Sequence, residues 1–272
     1  MESPNEVKKM VKDKYAEIAK AAKGSGCCGP VDCCGSSNES NIIDYSVFKD
    51  DYSSEQGYNP DADLGLGCGI PTQYAKIKEG DTVIDLGSGA GNDVFVARSI
   101  VGENGKVIGL DMTEEMIEKA VKNNSKLGYD NVQFKLGDIE KMPIESDIAD
   151  VVISNCVLNL VPDKQKAFTE IYRVLKPGAH FCISDIVIDG KLPEGLKKSA
   201  EMYAGCVSGA LQKDEYLKII EDSGSKNVEI KKSKRIDLPE EILKTYLTEN
   251  GMNDYKQNLK GIFSITVVGY KN

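Results

Sequence analysis

An α/β fold built on a parallel sheet is the class this sequence predicts, and three observations predict it. From about residue 80 onward, short apolar runs alternate with amphipathic stretches. A glycine-rich turn, Gly87-Ser88-Gly89-Ala90-Gly91, stands between the first apolar run and the first helical stretch of that region. An acidic residue, Asp111, ends the second run. Strands that alternate with helices form βαβ units, and the strands of such units are parallel.

The elements follow in chain order. Ser3-Pro4-Asn5-Glu6 reads as a capping box with proline at the first helical position. Val7, Met10, Val11, Ile18, Ala19 and Ala22 then recur at helical spacing, and Gly24 stops the helix. Residues 24 to about 41 are rich in Gly, Ser and Asn apart from four cysteines, the composition of a linker or flexible loop. TVIDLG is a buried strand, and DVFVARSIV after the glycine turn is a helix. KVIGLD is the second strand. Thr113 caps a helix closed by Gly128, with Met116, Ile117, Ala120, Val121 and Leu127 on one face. NVQFKLGD and IADVVISN are the third and fourth strands. DKQKAFTEIYRVLKPG is a helix ended by Pro177-Gly178, and AHFCISDIVI is the fifth strand. A helix at about 213–222 follows, then two strands near NVEIKK and IFSITVVGY, with LPEEILKTYL as one helix between them.

Composition bounds the function. The chain has 272 residues, 40% hydrophobic and 28% charged, enough for a real core in one or two domains. The net charge of −9 makes it a poor binder of nucleic acid or anionic membranes, because phosphate contacts need Lys and Arg. No apolar run approaches the ~20 residues of a membrane span. The N-terminus has no hydrophobic core of a signal peptide, so a cytoplasmic location is expected. There is one histidine, His180, within a strand. That excludes a His-rich metal site and reads as a structural side chain. The eight cysteines of a chain read as cytosolic should be reduced, so metal binding or catalysis is favoured over disulfide stapling.

The glycine turn has ligand-binding context. Glycines let the backbone approach a ligand closely, and a helix N-terminus favours negative groups. Asp111 lies twenty residues past Gly91, where an acidic side chain can accept hydrogen bonds from ribose hydroxyls. The spacing is G-x-G-x-G rather than the G-x-G-x-x-G of dinucleotide binders.

DLGSGAGND, GLDM, GDIEKMP and the strand running into SNCVLNL resemble the successive motifs of class I S-adenosylmethionine-dependent methyltransferases. The resemblance covers roughly residues 71–272. It implies a Rossmann-like three-layer sandwich, with a mostly parallel seven-stranded sheet whose last strand, IFSITVVGY, is antiparallel. It also implies cofactor contacts. Asp85, Gly87, Ser88, Gly89 and Gly91 would lie against the amino-acid part. Asp111 would take the ribose hydroxyls and Met112 the adenine face. Asp138 and Ile139 would edge the adenine, and Asn155 would lie beside the sulfonium.

LGLGCGIP, SNCVLNLVPDK and YAGCVSGAL together resemble arsenite methyltransferases, the bacterial and archaeal type in particular. That resemblance implies that Cys68, Cys156 and Cys206 hold trivalent arsenic. Thiolates are soft ligands that select thiophilic centres, and an arsenic lone pair needs no general base to attack a methyl group. Each cysteine taken alone also reads as a buried small hydrophobe. Cys182, within a strand, takes only that reading. Cys27, Cys28, Cys33 and Cys34 form a CC-x₄-CC segment. They are further candidates for arsenite capture or redox relay, or part of an unstructured tail. The co-substrate implied is a thiol reductant of the glutathione or thioredoxin type, and antimonite is a second candidate acceptor. Two other functions fit the motifs: methylation of a small organic acceptor, and metalloid sequestration without catalysis.

The expected organisation is therefore an N-terminal helix and cysteine loop at 1–41, and a cofactor-binding core at 42–188. A substrate-side insertion with C-terminal strands that complete the sheet follows at 189–272. Gly205 and Gly209 flank Cys206, so the insertion is expected to move when the metalloid binds.

Overall fold

The computed structural model describes residues 3–21, 50–197 and 209–272. Cys27, Cys28, Cys33, Cys34 and Cys206 lie outside the described residues, as does the expected stop of the first helix at Gly24.

The sheet has seven strands in the order β3-β2-β1-β4-β5-β7-β6. They are β1 (Thr82–Leu86), β2 (Lys106–Asp111), β3 (Val132–Leu136), β4 (Ala149–Asn155), β5 (Leu175–Gly190), β6 (Lys226–Ile236) and β7 (Leu259–Tyr270). The β1–β5 ladders are parallel. Only β7 runs against its neighbours, pairing antiparallel with both β5 and β6. Among the described residues the α-helices are α1 (Pro4–Ala21), α2 (Asn92–Val101), α3 (Glu114–Leu127), α4 (Lys164–Val174), α5 (Glu194–Lys197), α6 (Lys213–Asp222), α7 (Glu240–Tyr246) and α8 (Glu249–Asn258). The α/β class and the antiparallel last strand are as the sequence predicts.

Strand alternation builds the three layers. Successive side chains leave a strand on opposite faces. Val83, Val107, Val151, Ile153 and Cys182 pack on one face with Val94, Phe95 and Ala97 of α2. Ile84, Ile108, Val152, Phe181 and Ile183 pack on the other, with Phe168 and Ile171 of α4 and Tyr216 and Ile220 of α6. Burying each large apolar side chain contributes about 1.5–3 kcal/mol. Phe168 anchors the second layer, its ring 5.9 Å from Phe181 and 5.7 Å from Tyr216.

The capping box forms as read: Ser3 N–H donates to Glu6 Oε2 at 2.6 Å, and Glu6 N–H to Ser3 Oγ at 3.4 Å. Two boundaries differ from expectation. The helix α4 ends at Val174 rather than at Pro177-Gly178, and β5 begins at once. A residue before proline is pushed away from helical dihedrals, which stops the helix ahead of Lys176. The single helix expected between β6 and β7 is two, α7 and α8. Thr248 restarts the chain by accepting from Gly251 N–H, and α8 buries no side chain, so it carries no apolar periodicity to read.

Candidate active site

A cleft of about 1130 Å³, part of it open to solvent, lies along the C-terminal ends of β1, β2 and β4. Open α/β sheets bind ligands at this edge. Of the ten residues expected at the cofactor, Asp85, Gly87, Ser88, Gly89, Asp111, Met112, Asp138, Ile139 and Asn155 line it. Gly91 does not: it sits at the N-cap of α2 with φ +100°, and a Cβ there would meet the Phe95 ring at 2.9 Å.

The loop after β1 is tied to β2. Gly87 and Ser88 N–H both donate to Leu110 O, at 2.8 and 3.0 Å, and Gly89 N–H donates to Asp111 Oδ2 at 2.9 Å. Gly87 and Gly89 both have positive φ, +69° and +52°, where side chains other than glycine are strained. A Cβ on Gly87 would meet Val157 at 2.4 Å, whereas one on Gly89 would point into open space. Two buried polar atoms on the cleft wall, Ser88 Oγ and Asn92 Oδ1, have no hydrogen-bond partner among the described residues. Buried polar atoms need hydrogen bonds, so these two call for a polar ligand.

The electrostatics of the cleft favour a cation. Asp85, Asp93 and Asp111 all line it. Burial, and then the charges of Asp93 and Asp111, push the Asp85 carboxyl well above the usual range. Burial pushes Asp93 up to about 6, against hydrogen bonds from Tyr52 and Asn155. Burial also raises Asp111, opposed chiefly by the Thr113 and Gly89 N–H groups that it accepts. A ligand carrying sulfonium and ammonium charge would offset this crowding. The residues present therefore fit S-adenosylmethionine.

Asn155 ends β4 and joins the cleft to the first cysteine loop. Its Oδ1 accepts from Cys68 N–H at 3.0 Å, and its Nδ2 lies 2.8 Å from Gly69 O, 2.8 Å from the Tyr52 hydroxyl and 3.1 Å from Asp93 Oδ2. The Tyr52 hydroxyl donates to Asp93 Oδ1 at 2.7 Å. Cys156, the next residue, lines the cleft with φ +60°, and its N–H donates to Ser184 O at 2.7 Å. Cys68 and Cys156 share one buried cluster. Cys68 is wholly buried, 0% exposed, behind Gly67 at the cleft wall, and its carbonyl accepts from Ser264 Oγ. The fold thus brings two of the three expected arsenic ligands together.

Two residues set aside from the chemistry sit in packing roles. Cys182 is buried on β5, its thiol donates to Pro71 O at 3.2 Å, and burial pushes it up to about 12. His180 Nε2 lies 2.5 Å from Ala75 O, with the ring against Tyr270. Lys8 and Tyr15 of α1, Tyr52 and Asp93 are among the cleft residues that the sequence reading does not single out. Lys8 reaches Asp138 at 2.6 Å and Glu140 at 2.7 Å, which lays α1 over the Asp138 side of the cleft. Asp93 had a signal, an acidic residue just past the glycine turn, but an acidic first helical turn is ordinary dipole compensation.

A seven-stranded sheet of this order, with a glycine-lined anionic cleft at its strand ends, defines the α/β methyltransferase class. The family description "Methyltransferase domain" matches residues 77–224. An arsenite methyltransferase of Halobacterium salinarum is 41% identical over 243 residues, 84% of this chain and 59% of that protein. The arsenite methyltransferase of Homo sapiens is 42% identical over 156 residues, 53% of this chain and 40% of that one. The crystal structure of an arsenic(III) S-adenosylmethionine methyltransferase from Chlamydomonas reinhardtii matches with a TM-score of 0.64 and 34% identity, covering 75% of this chain and 67% of that one. The chain belongs to the methyltransferase domain family, on its arsenite methyltransferase branch. It spans 59% of the length of the Halobacterium relative.

Proposed function

We propose that this chain moves a methyl group from S-adenosylmethionine to trivalent arsenic held by cysteine thiolates. The observation that carries this reading is Cys156, buried at the cleft wall beside Asn155 and clustered with Cys68. The cofactor supplies an electrophilic methyl on a sulfonium. The glycine loop and Asp111 hold it, Met112, Asp138 and Ile139 border its base, and Asn155 stands where the methyl is delivered. Cys68, Cys156 and Cys206, with Cys27, Cys28, Cys33 and Cys34 as further candidates, hold arsenite or methylarsenite as substrate. Three thiolates leave a lone pair on arsenic. That pair forms the As–C bond while the S–CH₃ pair returns to sulfur and S-adenosylhomocysteine leaves. The attacking atom carries no proton, so no general base is needed, in keeping with the packing role of His180. The main contribution of the protein is alignment at about 3–3.5 Å.

Transfer raises arsenic formally from +3 to +5. Return to +3 takes two electrons from a pair of thiols, which become a disulfide. A reductant of the glutathione or thioredoxin type would reopen it. Reduced thiols suit a cytoplasmic site of action. Among the described residues no helix is long and apolar enough to cross a membrane.

The test is an end-point assay with arsenite, S-adenosylmethionine and a thiol reductant, with products separated by liquid chromatography–mass spectrometry. Wild type should yield methylated arsenic, and Cys156→Ser and Cys206→Ser should not. Cofactor binding without any methylated arsenic would move the reading to an organic acceptor.

A further inference from the structure

We propose that Asp185 is a positioning residue for Cys156, fixing the turn that carries this thiol against β5 and α6. The inference rests on the function proposed above. It concerns a buried carboxyl that the chemistry does not use.

Asp185 is 0% exposed and accepts hydrogen bonds from three parts of the chain. Its Oδ2 accepts from Asn159 N–H and from the Tyr216 hydroxyl, each at 3.1 Å. Its Oδ1 accepts from Ile186 N–H at 2.9 Å. Asn159 lies in the short 3-10 turn Leu158–Leu160, just after Cys156, and its own Nδ2 donates to Ile186 O at 2.6 Å. Tyr216 belongs to α6, the helix after the insertion, and is also 0% exposed. The other side of the turn is gripped by Lys164, whose ammonium donates to Asn159 O at 3.2 Å and Val161 O at 3.1 Å. The Cys156 turn is thus held by a carboxyl oxygen at an amide and by an ammonium at its carbonyls.

This grip reaches the thiols. Cys156 sits at φ +60°, an unfavourable dihedral that persists only where surrounding bonds impose it. The bond from Cys156 N–H to Ser184 O and, three residues on, the Asp185 bond to Asn159 N–H are among the contacts that hold this turn. The Tyr216 phenol is pushed well above its usual range by burial and by Asp185, and also by charge on Cys68 and Cys156. Tyr216 therefore lies within electrostatic reach of both thiols. A packing role alone would be met by an apolar side chain, without burying a carboxyl. An apolar residue at 185 would leave the Asn159 N–H and Tyr216 O–H buried and unpaired.

The test compares Asp185→Leu and Asp185→Asn with wild type. Asparagine keeps one oxygen for Asn159 and Tyr216, whereas leucine keeps none. Two probes are used: arsenite, followed by arsenic–thiolate absorption, and iodoacetamide, with the alkylation of Cys156 timed by mass spectrometry. Asp185→Leu should weaken arsenite binding at least tenfold and speed alkylation of Cys156 to a similar degree. Its S-adenosylmethionine affinity should stay within about twofold, and Asp185→Asn should restore both cysteine readouts to within about threefold. Where Asp185→Leu does not fold, Tyr216→Phe and Lys164→Met loosen the same turn and are read the same way. Wild-type alkylation and arsenite affinity in the loosened variants would overturn the proposal, as would parallel loss of arsenite and cofactor binding. Failure of wild type itself to bind arsenite would instead sink the proposed function, and the alkylation rates would still decide the role of Asp185.

Discussion

Replacing Gly87 and Gly89 by alanine separates what the glycine loop does for the fold from what it does for the ligand. Both residues have positive φ, so each alanine meets the same backbone penalty, about 1–2 kcal/mol. They differ in surroundings. The added methyl at 87 would lie 2.4 Å from Val157, while the one at 89 would meet nothing within 4 Å. Overpacking adds about 1–3 kcal/mol, which brings Gly87→Ala to about 2–5 kcal/mol and leaves Gly89→Ala at about 1–2. For a chain of this size 1 kcal/mol moves the melting temperature by about 2–4 °C, so Gly89→Ala should melt only about 2–8 °C below wild type. Its methyl would occupy the space through which a ligand approaches the backbone. Calorimetric titration with S-adenosylmethionine should therefore give at least tenfold weaker binding, about 1.4 kcal/mol or more, in a protein that is still folded. A folded Gly89→Ala that binds the cofactor as wild type does would refute the placement of the ligand over this loop.

Other perturbations read other parts of the structure. Burial raises Asp185 from 3.8 in the unfolded chain to about 7, so the native state holds the extra proton. The corresponding stability is fully present below about pH 4 and is lost as pH rises through 7, roughly 4 kcal/mol in all. Tyr216 and Lys164 are the titratable groups around it. Asp185→Asn should flatten the unfolding free energy between pH 4 and 7 and melt above wild type at pH 8; an unchanged pH profile would contradict the burial argument. Cys182→Ala should leave arsenite binding intact, since a thiol pushed up to about 12 is protonated at neutral pH, and a loss of arsenic stoichiometry would contradict this. Lys8→Ala removes the bridges to Asp138 and Glu140 and should speed cofactor release several-fold in stopped-flow dissociation. The difference from wild type should shrink in high salt, because partly exposed ion pairs are screened.

The parts of the fold legible in the sequence are those set by local pattern. The strands β1 to β5 are apolar runs, and the glycine turn announces itself by composition. The convergence of Asn155 on Cys68, Gly69, Tyr52 and Asp93 spans up to 103 positions and leaves no periodic trace. The covering of the cleft by α1 is equally nonlocal: Lys8 and Asp138 are 130 positions apart. Gly91 stands off the cleft lining for a different reason. Its spacing matches the ligand-facing glycines, yet the close approach that it permits is to Phe95 and Phe134. Asp185 is one polar residue within an apolar strand sequence, and the positions of Asn159 and Tyr216 are what give it a role.

The central claim is that thiolates of this chain hold trivalent arsenic beside the cofactor, and arsenic K-edge X-ray absorption tests it most directly. With arsenite bound to the wild type, the account predicts a shell of sulfur neighbours. Cys156→Ser should lose one of them, and Cys206→Ser another. The same measurement on Cys68→Ser decides whether this buried thiol turns toward the cleft or stays in the core. An arsenic shell of oxygen alone, or one left unchanged by Cys156→Ser, would contradict the account.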